Sequence, residues 1–231
     1  MGLGISVICP TNKANSFENI LNNFKSQDYD PKELIIGLNY DIKIDYIKNK
    51  ITNEDNIKIL PLGSRRTLGE CLNISIEHAK YPIIAKFDDD DYYSPQYLSD
   101  MEKLFSDENI QIVGKACYYV YFTEKKIIGL MNAGRENMFV DRVAGATLTF
   151  RKEVFQSVKF PHLNLGEDVK FCQLAKRKGY KIYSTNRFHY VYIRNMRYKH
   201  TWKIDNNFIL KHCKFLTEVE DYKEFILKMC Q

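Results

Sequence analysis

No apolar run in this chain approaches the about 20 residues needed to cross a bilayer. Its start, Met1-Gly2-Leu3-Gly4-Ile5, has no basic region ahead of an apolar one. The reading is therefore of a cytoplasmic protein with neither leader nor span, in which contact with a membrane surface stays open. Cysteine pairing is missing too. Cys9, Cys71, Cys117, Cys172, Cys213 and Cys230 include no C-x-x-C and no zinc-type spacing. With neighbours such as Val7 and Ile8, they read as small core residues in a reducing compartment. No sign of charge dominates, since 34 basic and 29 acidic residues leave a formal net charge of +5. Nucleic-acid binders concentrate basic residues in a stripe, so no nucleic-acid partner is expected. A local excess (Arg187, Arg194, Arg197, Lys199, Lys203) fits a solvated surface and an anionic-ligand or membrane-surface patch equally well. There is no repeat, low-complexity tract or Gly/Ser linker.

What is present is core material. The 231 residues are 45% hydrophobic and 13% aromatic, enough for one large domain with at most a small appendage. Residues 1–203 are expected to form the main domain and 204–231 a C-terminal helical appendage. Residues 3–9, 33–38, 57–62 and 82–87 are short apolar runs that read as buried parallel strands. Between them, Phe17, Ile20, Leu21 and Phe24 keep helical spacing, as do Leu68, Cys71, Leu72, Ile76 and Ala79. A short helix is expected over residues 42–50. Alternating strands and helices imply right-handed crossovers and an α/β fold, with a mostly parallel central sheet and helices on both faces. Further on, residues 110–122, 146–150, 180–183 and 187–193 read as strands and 166–178 as a helix closed by Gly179. Residues 124–142 read as a polar, mobile loop. Val219, Tyr222, Ile226, Met229 and Cys230 share one face of a terminal helix.

Open α/β sheets bind ligands beyond the carboxyl ends of their strands. The residues at those ends are Pro10, Thr11 and Asn12; Asn39, Tyr40 and Asp41; Gly63, Ser64, Arg65 and Arg66; and Asp88-Asp89-Asp90-Asp91. Four adjacent carboxylates repel one another, and nothing about stability calls for them after Ile83-Ile84-Ala85. Two explanations stand. One is a divalent cation, Mg2+ or Mn2+, bridging carboxylate and substrate phosphate. The other is a solvated acidic turn capping a helix that begins near Pro95. A calcium loop is disfavoured because the Gly and the later Glu of that pattern are absent.

At these residues the sequence resembles family-two glycosyltransferases with the GT-A fold. Phe87 to Pro95 is similar to that family's D-x-D region, and Ser6-Val7-Ile8-Cys9-Pro10-Thr11 to its first strand and P-T turn. Leu68-Gly69-Glu70-Cys71-Leu72-Asn73 resembles the segment before the D-x-D strand. Gly145-Ala146-Thr147-Leu148 and Gly166-Glu167-Asp168 match the acceptor-side strand and the E-D motif. The resemblance spans roughly residues 3 to 193, and a spore-coat or cell-wall polysaccharide branch is the nearest in appearance.

The resemblance implies an inverting transfer from a nucleoside diphosphate sugar, UDP-linked, to an acceptor hydroxyl on a carbohydrate or other compound. It implies Asp90 as metal ligand with Asp88 at the metal or ribose, Asp168 as base, and Glu167 orienting the base or the acceptor. Read without the family, Glu167 and Asp168 are more simply first-turn helix acids. The donor side draws on Pro10, Thr11, Asn12, Asn39, Asp41, Arg65, Arg66, Asn73, Lys86, Asp88 and Asp89, and the acceptor side on Gly145 and Ala146. Where the family carries an Asp that reads uracil, this chain has Asn39, whose amide offers both donor and acceptor. Arg65 and Arg66 suit a diphosphate or a solvated loop. Lys86 either contacts substrate or offsets the aspartates. His189 and His200 are further metal candidates, against the ordinary structural role of a lone histidine. A nucleotidyltransferase would want a Gly-rich loop after the first strand, which Pro10-Thr11-Asn12-Lys13 is not. A non-catalytic nucleotide- or metal-binding module is the other alternative, and turnover separates it from an enzyme.

Overall fold

The computed structural model describes residues 2–41, 55–195 and 204–230. The helix expected over 42–50 lies outside them, as do His200, Trp202, Arg197, Lys199 and Lys203. The strands in chain order are β1 Ile5–Thr11, β2 Lys32–Leu38, β3 Ile57–Pro61, β4 Ile83–Lys86, β5 Tyr92–Tyr93, β6 Ile112–Gly114 and β7 Tyr118–Phe122. They continue with β8 Ile127–Met131, β9 Met138–Phe139, β10 Thr149–Arg151, β11 Ile182–Ser184, β12 Tyr190–Arg194 and β13 Cys213–Glu218. A main sheet has the order β3-β2-β1-β4-β10-β6-β11-β9, and a second sheet the order β13-β8-β7-β12-β5. In the main sheet β1, β2, β3, β4, β6 and β11 run parallel, while β9 and β10 run against them.

The uninterrupted apolar runs explain this arrangement. Side chains alternate across a strand, so a strand apolar at every position needs cover on both faces. Ile5, Val7 and Cys9 of β1 enter one core with Phe17, Ile20 and Phe24 of helix α1 (Phe17–Lys25). Ile8 of the same strand enters the other core with Leu72 and Ile76 of helix α2 (Leu68–Glu77). Helix α3 (Tyr97–Glu102) adds Tyr97, Leu98 and Met101 to the first core. Helix α4 (Val154–Ser157) and helix α5 (Glu167–Arg177) add Val154, Phe171 and Cys172 to the second. Each fully buried Ile, Leu or Phe contributes about 1.5–3 kcal/mol. Thr67 and Glu70 form a reciprocal capping box at the start of α2. All six cysteines are free thiols, four of them buried.

The second half departs from expectation. Residues 110–122 are not one strand. β6 belongs to the main sheet and β7 to the second, with the chain crossing between them at Lys115–Cys117. Residues 124–142 are not a loop. They hold β8, whose Ile128 and Leu130 are each 1% exposed, and the edge strand β9. The C-terminal segment is not only helical. Between helix α6 (Asn206–His212) and helix α7 (Tyr222–Met229) it supplies β13, which pairs antiparallel with β8. No helix among the described residues is long and apolar enough to cross a membrane.

Where β6 leaves the main sheet, Lys115 is fully buried. Its ammonium donates to Thr185 Oγ1 at 3.0 Å and to the Asn186 carbonyl at 2.9 Å, with Asp100 at 3.6 Å. Burial outweighs Asp100 and lowers its pKa from 10.5 to about 8. The unfolded chain keeps this proton to about pH 10. Between the two values the unfolded state binds more protons, so the Lys115 contribution to stability rises with pH. The expected result is that wild-type stability, measured against Lys115→Met in paired urea melts, gains about 2–3 kcal/mol between about pH 7 and about pH 10. A gap that does not change with pH would mean an ordinary lysine.

Candidate functional site

The carboxyl ends of β1 and β4 lie side by side because these strands pair in parallel, with Ile8 opposite Lys86. Carried forward in step, that register brings Thr11 beside Asp89, and the Thr11 hydroxyl donates to Asp89 Oδ2 at 2.5 Å. Lys13 reaches the same place. Its ammonium lies 3.0 Å from Asp89 Oδ1 and 2.6 Å from Asp90 Oδ2. Lys86, buried at the end of β4, pairs with Asp88. Burial opposes both ammonium charges, but Asp90 and Asp89 hold the Lys13 pKa above the usual lysine value, and Asp88 with Glu167 does the same for Lys86.

The four carboxylates thus have different surroundings. Asp91 is 1% exposed and turned inward, accepting from the Tyr190 hydroxyl at 2.7 Å and the Ile193 amide at 3.0 Å. Burial, followed by the charge of Asp90, raises its pKa well above the ordinary aspartate value. Asp89 is nearly as buried, and burial with Asp90 raises its pKa against the pull of Lys13. Asp88 and Asp90 face outward, their side chains 40% and 31% exposed. Asn19 and Asn23 of α1 brace the loop from behind by donating to the Asp91 carbonyl.

The second group of acids is brought up by α5. Gly166, at φ 78, turns the chain into that helix. Glu167 is 5% exposed, and burial raises its pKa while Lys86 pulls it down. Asp168 lies directly against Gly145, where a Cβ would collide with its carboxylate. Glu167 and Asp168, like Asp88, favour the charged form of Lys86. A second link is Tyr93. Its hydroxyl accepts from the Asp88 amide at 2.8 Å and donates to the Ala146 carbonyl at 2.8 Å. Its ring stacks on Phe87 with centroids 3.8 Å apart.

Other sequence candidates are placed as follows. Pro10 is buried within β1, and Asn12 is exposed just beyond it. Asn39 is tied to β1 through its amide on the Thr11 carbonyl, and its side-chain Nδ2 donates to the Arg66 carbonyl. Its Oδ1 is buried and accepts no hydrogen bond among the described residues. Asp41 holds the Ser64 hydroxyl at 2.7 Å. Arg66 folds back onto the Leu62 carbonyl, and Arg65 is exposed. Asn73 braces the second core, both ends of its amide bonding the Phe160 backbone. His189 lies with Ser94 at 2.9 Å and Cys230 at 3.4 Å, not with the aspartates. Tyr92 and Tyr93 read from sequence either as stacking on a sugar or base or as core packing, and Tyr93 is fully buried against Phe87. Lys13, Asn19 and Asn23 carry no signal of their own, because their partners lie some 70 residues away in sequence.

Asp88 and Asp90 offer outward oxygen ligands of the kind a hard divalent cation shares with phosphate and water. Among the described residues no group of three acids, histidines or cysteines forms a protein-only cage. Two carboxylates alone would leave most positions of such an ion to water and phosphate oxygens.

Residues 6–163 match the family model described as Glycosyl transferase family 2. Among solved structures, the chain is similar to a mannosyltransferase, PcManGT from Pyrobaculum calidifontis, in complex with GDP-Man and Mn2+. That likeness has a TM-score of 0.63 and 18% identity over 84% of this chain and 57% of that one. It is also similar to TarS of S. aureus in complex with UDP-GlcNAc, with a TM-score of 0.60 and 19% identity over 88% of this chain and 62% of that one. This chain spans about three fifths of those two chains, and at such identities the likeness is one of fold, the GT-A fold. Among curated proteins nothing matches significantly.

Proposed function

The chain belongs to glycosyl transferase family 2, and from that premise we propose that it transfers a sugar from a nucleoside diphosphate sugar to an acceptor hydroxyl with inversion. The observation that carries the reading is the juxtaposition around Lys86. Asp88 of the β4 loop pairs with the buried Lys86 ammonium, which also feels the charges of Glu167 and Asp168 on α5, and Tyr93 ties the Asp88 amide to the Ala146 carbonyl beside the glycine against which Asp168 lies.

In this reading the diphosphate lies over Asp88 and Asp90, which would hold Mn2+ or Mg2+. Such an ion, when bound, offsets charge on the leaving diphosphate. Asp168 takes the proton of the acceptor hydroxyl as its oxygen bonds to the anomeric carbon. The bond from that carbon to the diphosphate breaks on the opposite face. Glu167, buried beside Lys86, orients Asp168. Asn39 follows the second strand where the resemblance puts a base-reading residue, and a carboxamide there can accept from a base with a ring N–H. Uracil and guanine carry such a group, and uridine is the proposed base. The relative solved with GDP-Man and Mn2+ supports a nucleotide-sugar donor with a divalent ion. The acceptor is a carbohydrate or other hydroxyl compound, consistent with polysaccharide synthesis.

The test is a thermal-shift screen of nucleotide sugars with Mn2+ and with chelator. At a hundred-fold excess over Kd, a ligand adds about 2.7 kcal/mol to apparent stability, which for a chain of this size is about 5–10 °C. UDP-sugars are expected to give that shift with Mn2+ and much less with chelator. No shift from any nucleotide sugar, or shifts indifferent to chelator, would overturn the reading. Binding without turnover would favour the non-catalytic alternative.

A further inference from the structure

The two lysines of the aspartate run are not equivalent. Lys86 is fixed, with its side chain 3% exposed and its strand paired on both sides. Lys13 stands on the loop after β1 with its side chain 24% exposed, on a four-carbon stem, and touches two carboxylates at once. One of them, Asp90, is the outward acid that the proposed function gives to the divalent cation. An ammonium at 2.6 Å from Asp90 Oδ2 and a divalent ion on that same oxygen repel each other at close range. Asp89 would remain supported after Lys13 left, because the Thr11 hydroxyl also donates to it.

We infer that Lys13 is a tethered counter-cation of the aspartate run. It occupies Asp89 and Asp90 while the donor site is empty, and it moves to the diphosphate when donor and divalent ion enter together. The inference rests on the proposed function and adds an order to it. A divalent ion arriving alone meets carboxylates that already have a cation. A diphosphate gives the ammonium another anionic partner and takes the Lys13 charge off Asp90. Donor and metal therefore favour each other's binding by more than their direct contact supplies. Lys13 acts here as a positioning residue that sets when the metal site opens.

The experiment measures Mn2+ affinity by electron paramagnetic resonance, for Mn2+ alone and with saturating UDP, in four proteins. These are the wild type, Lys13→Met, Lys13→Arg and Lys58→Met, the last removing an exposed charge on β3 whose amine bonds the His78 carbonyl. Circular dichroism confirms that each is folded. For Mn2+ alone, Lys13→Met is expected to bind about ten-fold more tightly than wild type, the scale of one charged hydrogen bond. Lys13→Arg and Lys58→Met are expected to stay with the wild type. The gain in Mn2+ affinity on adding UDP is expected to be about ten-fold smaller in Lys13→Met than in wild type. Equal affinities of wild type and Lys13→Met for Mn2+ alone would overturn the inference, as would an equal gain in Lys58→Met. If Mn2+ and UDP bind together but Lys13→Met changes nothing, only the role of Lys13 falls. If Mn2+ binds none of the proteins even with UDP, the metal reading falls with it.

Discussion

Asp168→Asn will bind UDP as the wild type does and transfer sugar about a hundred- to ten-thousand-fold more slowly. The amide keeps the shape of the carboxylate and its place against Gly145, so the fold and the donor side should be untouched. What it loses is the capacity to take a proton. A positioned base is a transition-state interaction, so the loss belongs in kcat and not in nucleotide affinity. Gly145→Ala approaches the same atom from the other side. The added methyl collides with the Asp168 carboxylate and must displace it. It should lower kcat with UDP affinity preserved, though Asp168 itself is intact. Calorimetry for UDP and a coupled assay for released nucleoside diphosphate measure the two quantities. Transfer by Asp168→Asn at the wild-type rate would assign the base elsewhere, with Glu167 the next residue to test.

Asp90→Asn is expected to lose the Mn2+-dependent part of UDP affinity. Removing even an outer partner of a metal ligand costs about 10–100-fold in metal affinity, and a ligand's own charge should count for more. Stability should barely move, because Asp90 faces outward and Lys13 keeps its contact with Asp89. Asp89→Asn should behave in the opposite way. Asp89 is 7% exposed and is held by Thr11 and Lys13, so its loss is felt in the fold. The pair of variants separates a ligand from a brace within two adjacent residues. Unchanged Mn2+-dependent UDP affinity in Asp90→Asn would remove it from the metal site.

The first four strands could be read from sequence because a strand buried on both faces is apolar at every position, and β1, β2 and β4 are almost that. Parallel pairing then places the aspartate loop beside the loop after β1, with the loop after β2 one strand further on. The second sheet could not be read this way. β8 carries Gly129 and lies between charged turns, so Ile127–Met131 passed for a loop until β7 and β13 flanked it. Residues 110–122 failed for a different reason. One β-rich run serves two sheets, and composition does not mark where a chain crosses. Within the site, residue type pointed to Asp90 and Asp168, whereas Lys13 depends on register between β1 and β4. Asn73 shows the converse. Its position matched the family motif, but its amide is engaged with Phe160.

The Tyr93 hydroxyl has one more consequence. Two parts that must meet with sub-ångström accuracy usually inherit the slack of every piece between them, here a strand, a loop, a turn and the start of a helix. Tyr93 bypasses that stack. Its single oxygen is bonded at 2.8 Å to the Asp88 amide and at 2.8 Å to the Ala146 carbonyl, next to the glycine that seats Asp168. The tolerance between the aspartate loop and that turn is therefore the tolerance of two hydrogen bonds in series. The ring that carries this oxygen is itself fully buried and packed on Phe87, so the alignment is anchored in the core.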